Sequence, residues 1–274
     1  MGTARASVIV RCKNEARTLA ATLDALERQT VRPEVVFVDS GSTDGSRELG
    51  SERCDVLLDL PPVSFTYGRA LNLGAAAATA PIHFACSAHC VPREDWVERS
   101  LAHYEREDVA ATNGIQTFAD GSAVREVFYQ DAAHAREDVY WGFSNHASSW
   151  RASVWSEFPF EERLDYGEDR EWAWRVTAAG FVIAFDPALW VDLSHSWKGV
   201  RNVFQRQRRA ARGLRAFAQM PGYTARDVLA EWWREIPEDG HSRAFHRLNP
   251  GRMAGLAGKW SGHRADVEGA WRQR

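Results

Sequence analysis

Two adjacent carboxylates, Glu168 and Asp169, follow Gly167 at the start of a predicted helix that runs to about Ala179 and stops at Gly180. A carboxylate so placed can take the proton of a hydroxyl as that oxygen attacks an electrophile. The same place suits N-terminal capping, and the residue types fit both readings. A third carboxylate, Asp39, ends the apolar run Val35-Val36-Phe37-Val38 and opens the loop Ser40-Gly41-Ser42-Thr43-Asp44-Gly45. It can accept hydrogen bonds from a base or ribose, or bind the backbone of its own turn. Asp44 reads as a turn or helix cap. A fourth cluster, Ser87-Ala88-His89, follows an apolar strand and offers a hydroxyl and an imidazole but no carboxylate.

The elements that must position these groups are legible as a βαβ unit. Ala6 to Val10 and Val35 to Asp39 read as strands, joined by a helical segment from Glu15 to Arg28. That order implies parallel strands and a right-handed crossover, with ligands bound beyond the carboxyl ends. No glycine-rich dinucleotide fingerprint follows the first strand; Arg11-Cys12-Lys13-Asn14-Glu15 stands there instead. The site is nucleotide-like without being a typical NAD site. Further strands are predicted at Cys54 to Leu58, Ile82 to Cys86, Val109 to Gln116, Phe181 to Phe185 and Leu189 to Leu193. Helices are expected over Arg69 to Ala80 and Glu94 to Tyr104. The stretch from Phe118 to Ser149 reads as long loops over a cleft.

Bulk properties exclude several classes. No run of about 18 apolar residues marks a spanning helix. The first residues pass directly into a strand, so no signal peptide is expected and a cytoplasmic location follows. The four cysteines, Cys12, Cys54, Cys86 and Cys90, lack the spacing of a disulfide framework. Cys86 and Cys90 lie near His83 and His89, but the spacing matches no paired-thiolate zinc signature, and free thiols are expected. From Lys198 onward the chain carries about nine excess positive charges, so the preceding part is strongly acidic. No nucleic-acid motif accompanies that charge, and no nucleic acid is expected as a partner.

Val8 to Glu15, the Asp39 to Gly45 loop, Tyr67-Gly68-Arg69-Ala70-Leu71-Asn72-Leu73-Gly74 and Gly167-Glu168-Asp169 occur together in one order. In this the chain resembles the family-2 glycosyltransferases, and more closely their rhamnosyltransferase-like branch, over roughly residues 6 to 217. The resemblance implies an α/β GT-A fold, Rossmann-like, with a mostly parallel sheet flanked by helices, and a helical appendage at the C-terminus. It implies domains at 1–198 and 199–274, a nucleoside diphosphate sugar donor, and inversion at the anomeric carbon. Asp169 takes the position of the general base and Glu168 that of an acceptor-orienting residue. Arg11, Asn14, Glu15, Asp39, Arg69, Asn72, Ser87 and His89 fall where the family lines its donor site. Glu15 fits equally a first-turn helix residue, and Arg69 a solvated helix arginine. Trp141 and His146 border the acceptor side, although core packing suits Trp141 as well.

Most relatives carry an acidic motif where Ser87-Ala88-His89 stands, binding a divalent Mn²⁺ or Mg²⁺ that neutralises the leaving diphosphate. Mg²⁺ prefers hard oxygen ligands, which leaves metal dependence open. His89 with His195 is the candidate set for Mn²⁺ or another borderline metal; direct hydrogen bonding of His89 to the phosphates is the alternative. The basic stretch Phe204 to Arg215 fits three roles: closure over the diphosphate, docking at an anionic inner membrane face, or a solvated surface helix. Trp232, Trp233, Phe245 and Trp260 suggest packing on the body or on a second copy in a homodimer. The acceptor is a saccharide, a lipid-linked sugar or a natural product. The rival from another class is a catalytically silent nucleotide-sugar binder.

Overall fold

Strand β1 (Ala6–Cys12) is buried on both faces, Val8 and Val10 packing into one apolar layer and Ile9 into the other. Such a run is what a central parallel strand requires. In the computed structural model, which describes residues 4–114, 122–193, 199–218, 223–234 and 250–266, β1 lies between β2 (Glu34–Asp39) and β4 (Ile82–Ser87), parallel to both. β3 (Val56–Asp59) extends the sheet beyond β2. On the other side come β8 (Ala147–Arg151), β6 (Val109–Asn113), β9 (Val182–Phe185) and β7 (Phe128–Gln130). The eight-stranded order is β3-β2-β1-β4-β8-β6-β9-β7. β8 runs antiparallel to both β4 and β6, and β7 runs antiparallel to β9, so the sheet is mixed but mostly parallel.

Helices α1 (Ala16–Glu27) and α4 (Trp96–Ala102) cover one face through Leu19, Leu23, Leu26, Trp96 and Val97. The other face packs against α3 (Tyr67–Ala77), α6 (Ala152–Glu157) and α7 (Glu168–Ala178). There Phe143, Phe160 and Trp172 stack at centroid distances of 5.2 and 5.3 Å. Strand order reverses at β1, whose neighbours β2 and β4 lead the chain to opposite sides. Register then aligns Arg11 with Ser87 and Cys12 with Asp39 at one sheet edge. That edge is the switch-point crevice of an open α/β sheet.

Three expectations need correction. The 118–149 stretch is not all loop: it contains β7, the short α5 (Ala132–Glu137) and the start of β8. β7 is too short to show alternation, and α5 depends on the Asp131 side chain accepting from the amides of Ala133 and His134. Leu189 to Leu193 is not one strand. Asp186 caps a 3₁₀ turn at Pro187–Leu189, and only Asp192–Leu193 (β10) pairs, with β5 (Cys90–Val91), outside the large sheet. The predicted strand to Gln116 is described as far as Asn113; residues 115 and 116 lie outside the described residues.

The chain divides into two compact units, Met1–Glu162 with Asp169–His195, and Arg163–Glu168 with Ser196–Arg274. In the second, α8 (Val200–Phe217) packs along α10 (Pro250–Arg264), and α9 (Ala225–Arg234) joins α10 through the Lys259–Glu231 ion pair. Cβ atoms at Gly258 and Gly262 would overlap the carbonyls of Phe204 and Arg208, so these glycines set the helix spacing. Among the described residues no helix is long and apolar enough to cross a membrane.

Candidate active site

The loops after β1 and β2 are joined by side chains. Asn14, at φ 56°, accepts from the Thr43 amide at 2.8 Å, and its own amide donates to Ser42 Oγ at 3.0 Å. The Glu15 amide donates to Ser46 Oγ at 2.9 Å, and the Ala16 amide to Asp44 Oδ2 at 3.0 Å. Asp44 therefore caps the first turn of α1, and hydrogen bonding from the Ser46 hydroxyl holds its carboxyl below the usual range. Asn14 acts as a frame residue, its side-chain oxygen spent on the loop.

Asp39 combines both roles open to it. Oδ2 accepts from the Gly41 and Ser42 amides, each at 2.9 Å, as a turn-binding aspartate does. The residue is 1% exposed, and Oδ1 is buried without a hydrogen-bond partner. A buried carboxylate oxygen left unpaired is costly, and a donor hydroxyl or N–H arriving at the crevice would relieve that cost.

At the β1/β4 edge the groups converge. Arg11 Nη2 donates to the Asn145 carbonyl at 2.7 Å, to Asn145 Oδ1 at 2.9 Å and to Ser87 Oγ at 3.4 Å. Its guanidinium also lies 5.7 Å from the Tyr67 ring centroid. Asn145 in turn donates its amide to Asp169 Oδ2 at 3.2 Å, while the Arg170 amide reaches Oδ1 at 2.8 Å. Asp169 is partly exposed and Glu168 is buried. His146 is 2.6 Å from Ser144 Oγ through Nδ1, and its carbonyl accepts from the Ser87 amide at 2.8 Å. Burial pushes the His146 imidazole down to about 4, the opposing pull of Asp169 notwithstanding, so it is neutral at ordinary pH. His89 Nδ1 sits 3.3 Å from Glu15 Oε1.

Three of the sequence-predicted residues have partners within the protein, and a fourth is not described. Asn72 spends both side-chain atoms inside the protein: Oδ1 accepts from Trp155 and the Phe160 amide, and Nδ2 donates to the Phe160 carbonyl and Glu162. It braces α3 against residues 155–162. Arg69 is paired with Glu162 at 3.0 Å and donates to the Ser64 carbonyl, so its charge is already engaged. Trp141 packs on Phe185 at 4.7 Å and on Phe128 at 5.9 Å, against the core. His195 lies outside the described residues.

The described residues do not by themselves make a site for a hard divalent cation. Among the described residues no three His, Cys, Asp or Glu side chains stand close enough to share an ion. At the Ser87-Ala88-His89 turn a nearby carboxylate, Glu15, faces the imidazole. Cys12, Cys86 and Cys90 are buried free thiols, and Cys54 is a partly buried one. Asn145 and Glu162 were missed in the sequence. Both are ordinary polar residues in loops, and only their partners distinguish them.

The model of the family described as "Glycosyl transferase family 2" matches residues 7–159. The chain is 26% identical over 195 residues to the glycosyltransferase AglE of Haloferax volcanii. That alignment covers 65% of this chain and 63% of the relative, so the chain spans under two thirds of its length. The fold is similar to a mannosyltransferase from Pyrobaculum calidifontis in complex with GDP-Man and Mn²⁺. There the TM-score is 0.60 at 17% identity, covering 97% of this chain and 77% of that one. It is also similar to glucosyl-3-phosphoglycerate synthase from Mycobacterium tuberculosis in complex with Mg²⁺ and UDP. That match has a TM-score of 0.61 at 16% identity, over 80% of this chain and 81% of the other. These likenesses show the GT-A fold. With more than half its length matched by the family model, the chain belongs to glycosyl transferase family 2.

Proposed function

We propose that the protein is an inverting glycosyltransferase that moves a sugar from a nucleoside diphosphate to an acceptor hydroxyl, with Asp169 as general base. The carrying observation is the Arg11–Asn145–Asp169 chain of hydrogen bonds, which ties a carboxylate to the sheet edge where Asp39 keeps a free acceptor oxygen. Asp169 takes the proton of the acceptor hydroxyl, and the hydroxyl oxygen bonds to the anomeric carbon. The bond from that carbon to the diphosphate breaks on the opposite face, its electron pair leaving with the phosphate oxygen. One base suffices for a single displacement, in contrast with the two carboxylates of a retaining hydrolase. The nucleotide binds across Asp39, and the cationic Arg11 together with His89 faces the developing phosphate charge. The mannosyltransferase and the UDP complexes named above support a nucleotide-sugar donor. Resemblance to the rhamnosyltransferase-like branch makes a deoxythymidine-diphosphate deoxysugar the donor to try first.

The test is a thermal-shift panel of nucleoside diphosphate sugars with and without Mn²⁺, followed by transfer assays of the wild type and Asp169→Asn. Stabilisation grows as RT ln(1 + [L]/Kd) for a ligand of the folded state. The proposal expects one base to stabilise both proteins and only the wild type to turn over. Donor binding with no turnover by the wild type, across saccharide, lipid-linked and small-molecule acceptors, would instead indicate a silent binder. A flat panel at millimolar ligand would overturn the donor site altogether.

A further inference from the structure

The six residues Arg163–Glu168 belong to the second unit, although the chain on both sides of them belongs to the first. They form a strap leading directly into Asp169. Within the second unit this strap is held by α8 with unusual thoroughness. Arg209 grips Asp165 through both carboxylate oxygens, Nε at 2.8 Å and Nη2 at 2.9 Å, and Nη2 also donates to the Asp165 carbonyl at 2.9 Å. Arg212 adds a contact to Asp165 at 3.3 Å. The Arg209 guanidinium also lies 5.9 Å from the Tyr166 ring centroid. A Cβ on Gly213 would overlap the Tyr166 carbonyl oxygen, so strap and helix backbones meet with no side chain between them. Gly167 turns the strap at φ +91°, a conformation that suits glycine, with Leu214 3.7 Å from where its Cβ would be.

Those contacts change the meaning of the basic helix. Arg209 and Arg212 share the single negative charge of Asp165, and Arg215 donates to the carbonyls of His263 and Ala265. These three arginines are engaged inside their own unit. A planar, bidentate arginine pair fixes geometry as well as charge.

We propose that Arg209 is a positioning residue for the reaction: through Asp165 it fixes the strap, and through the strap it sets where Asp169 stands. The inference rests on Asp169 being the base. The second unit then bears chiefly on turnover: Asp169 directly follows the strap, whereas Arg11 is tied to Asp169 only through Asn145.

The experiment compares full-length Arg209→Ala, Arg209→Lys and Gly213→Ala with the exchange pair Arg209→Asp/Asp165→Arg, measuring kcat, donor KM and donor thermal shift. Asp169→Asn is run alongside. A misplaced base costs on the order of tenfold to a hundredfold, so kcat should fall by that factor in Arg209→Ala and less in Arg209→Lys. Donor KM and the donor thermal shift should stay within about twofold, and the exchange pair should recover part of the lost kcat. Arg209→Lys and Gly213→Ala carry the test if Arg209→Ala does not fold. Unchanged kcat in folded variants overturns the proposal, as does a rise in donor KM that matches the fall in kcat. Full turnover by Asp169→Asn would sink the functional reading itself. Loss of turnover there, with kcat intact in the Arg209 variants, would sink the strap alone.

Discussion

Nδ1 of His89 lies 3.3 Å from Oε1 of Glu15, each side chain about a quarter exposed. The Ser87-Ala88-His89 turn carries an imidazole, and the nearby carboxylate is turned onto it. If His89 serves the diphosphate directly, His89→Ala should weaken donor binding by about tenfold, the worth of a charge-assisted hydrogen bond. His89→Asp should go further and create a site, two carboxylates now sharing the turn with the donor phosphates. The expected outcome is a donor thermal shift in His89→Asp that grows on adding Mn²⁺, against none for the wild type. An equal Mn²⁺ response in both would show that the wild type already recruits the ion.

Asp39 should divide cleanly between structure and binding. Asp39→Ala removes the acceptor for the Gly41 and Ser42 amides together with the unpaired Oδ1. Donor affinity should fall by about tenfold or more, and the melting temperature should also drop as two amides lose their partner. Ligand titration by calorimetry reads the first effect and thermal melts the second. A melting change with donor affinity intact would reduce Asp39 to a turn residue.

Gly74 sets the approach of α3 to β1. A Cβ there would overlap Ile9 Cγ2, a fully buried branched side chain with little freedom to yield. Helix propensity favours alanine over glycine by about 1 kcal/mol, whereas overpacking a tight core costs about 1–3 kcal/mol. Gly74→Ala should therefore be destabilising on balance, by about 1 kcal/mol in urea melts. A gain in stability would mean that the two elements separate easily.

Acid should weaken the fold before the carboxylates titrate. Burial pushes the imidazoles of His83 and His146 down to about 4, and His263 in the second unit likewise. Each is depressed below the ordinary 6.5, so between about 6.5 and 4 the unfolded chain binds protons that the folded one does not. The stability they contribute is present above 6.5 and drains away as the pH falls through that window. Melting temperatures should decline from pH 7 to pH 5, and His83→Leu should flatten the slope, though losing the hydrogen bond to Ala80 lowers its absolute stability. An unchanged slope in that variant would assign the acid sensitivity elsewhere.

Much of this was readable from residues alone, for identifiable reasons. β1, β2 and the helix between them carry strong apolar periodicity, and Asp39 ends a strand with turn residues after it. Such local signals reach the register that sets Arg11 beside Ser87. What escaped was whatever depends on distant partners. Asn72 sits in a motif stretch, but its amide is spent on residues 155–162, far along the chain. Arg69 reads as a free cation until Glu162 arrives opposite it. The arginines of α8 read as a charged surface because nothing in their spacing names Asp165, more than 40 residues earlier, as their partner. β7, at three residues, is shorter than any alternation can reveal.

The reversed direction of β8 has an evolutionary corollary. Running against β4, with Ala147 opposite Cys86, it delivers residues 143–146 to the rim where β1 and β4 finish. Residues 11–89 and 143–146 thus reach a common rim from separate stretches of chain. Lineages could remodel the later stretch by insertion or recombination without disturbing the earlier one. A chimera grafting another member's 139–146 segment onto this scaffold should inherit its nucleotide preference from one parent and its acceptor from the other.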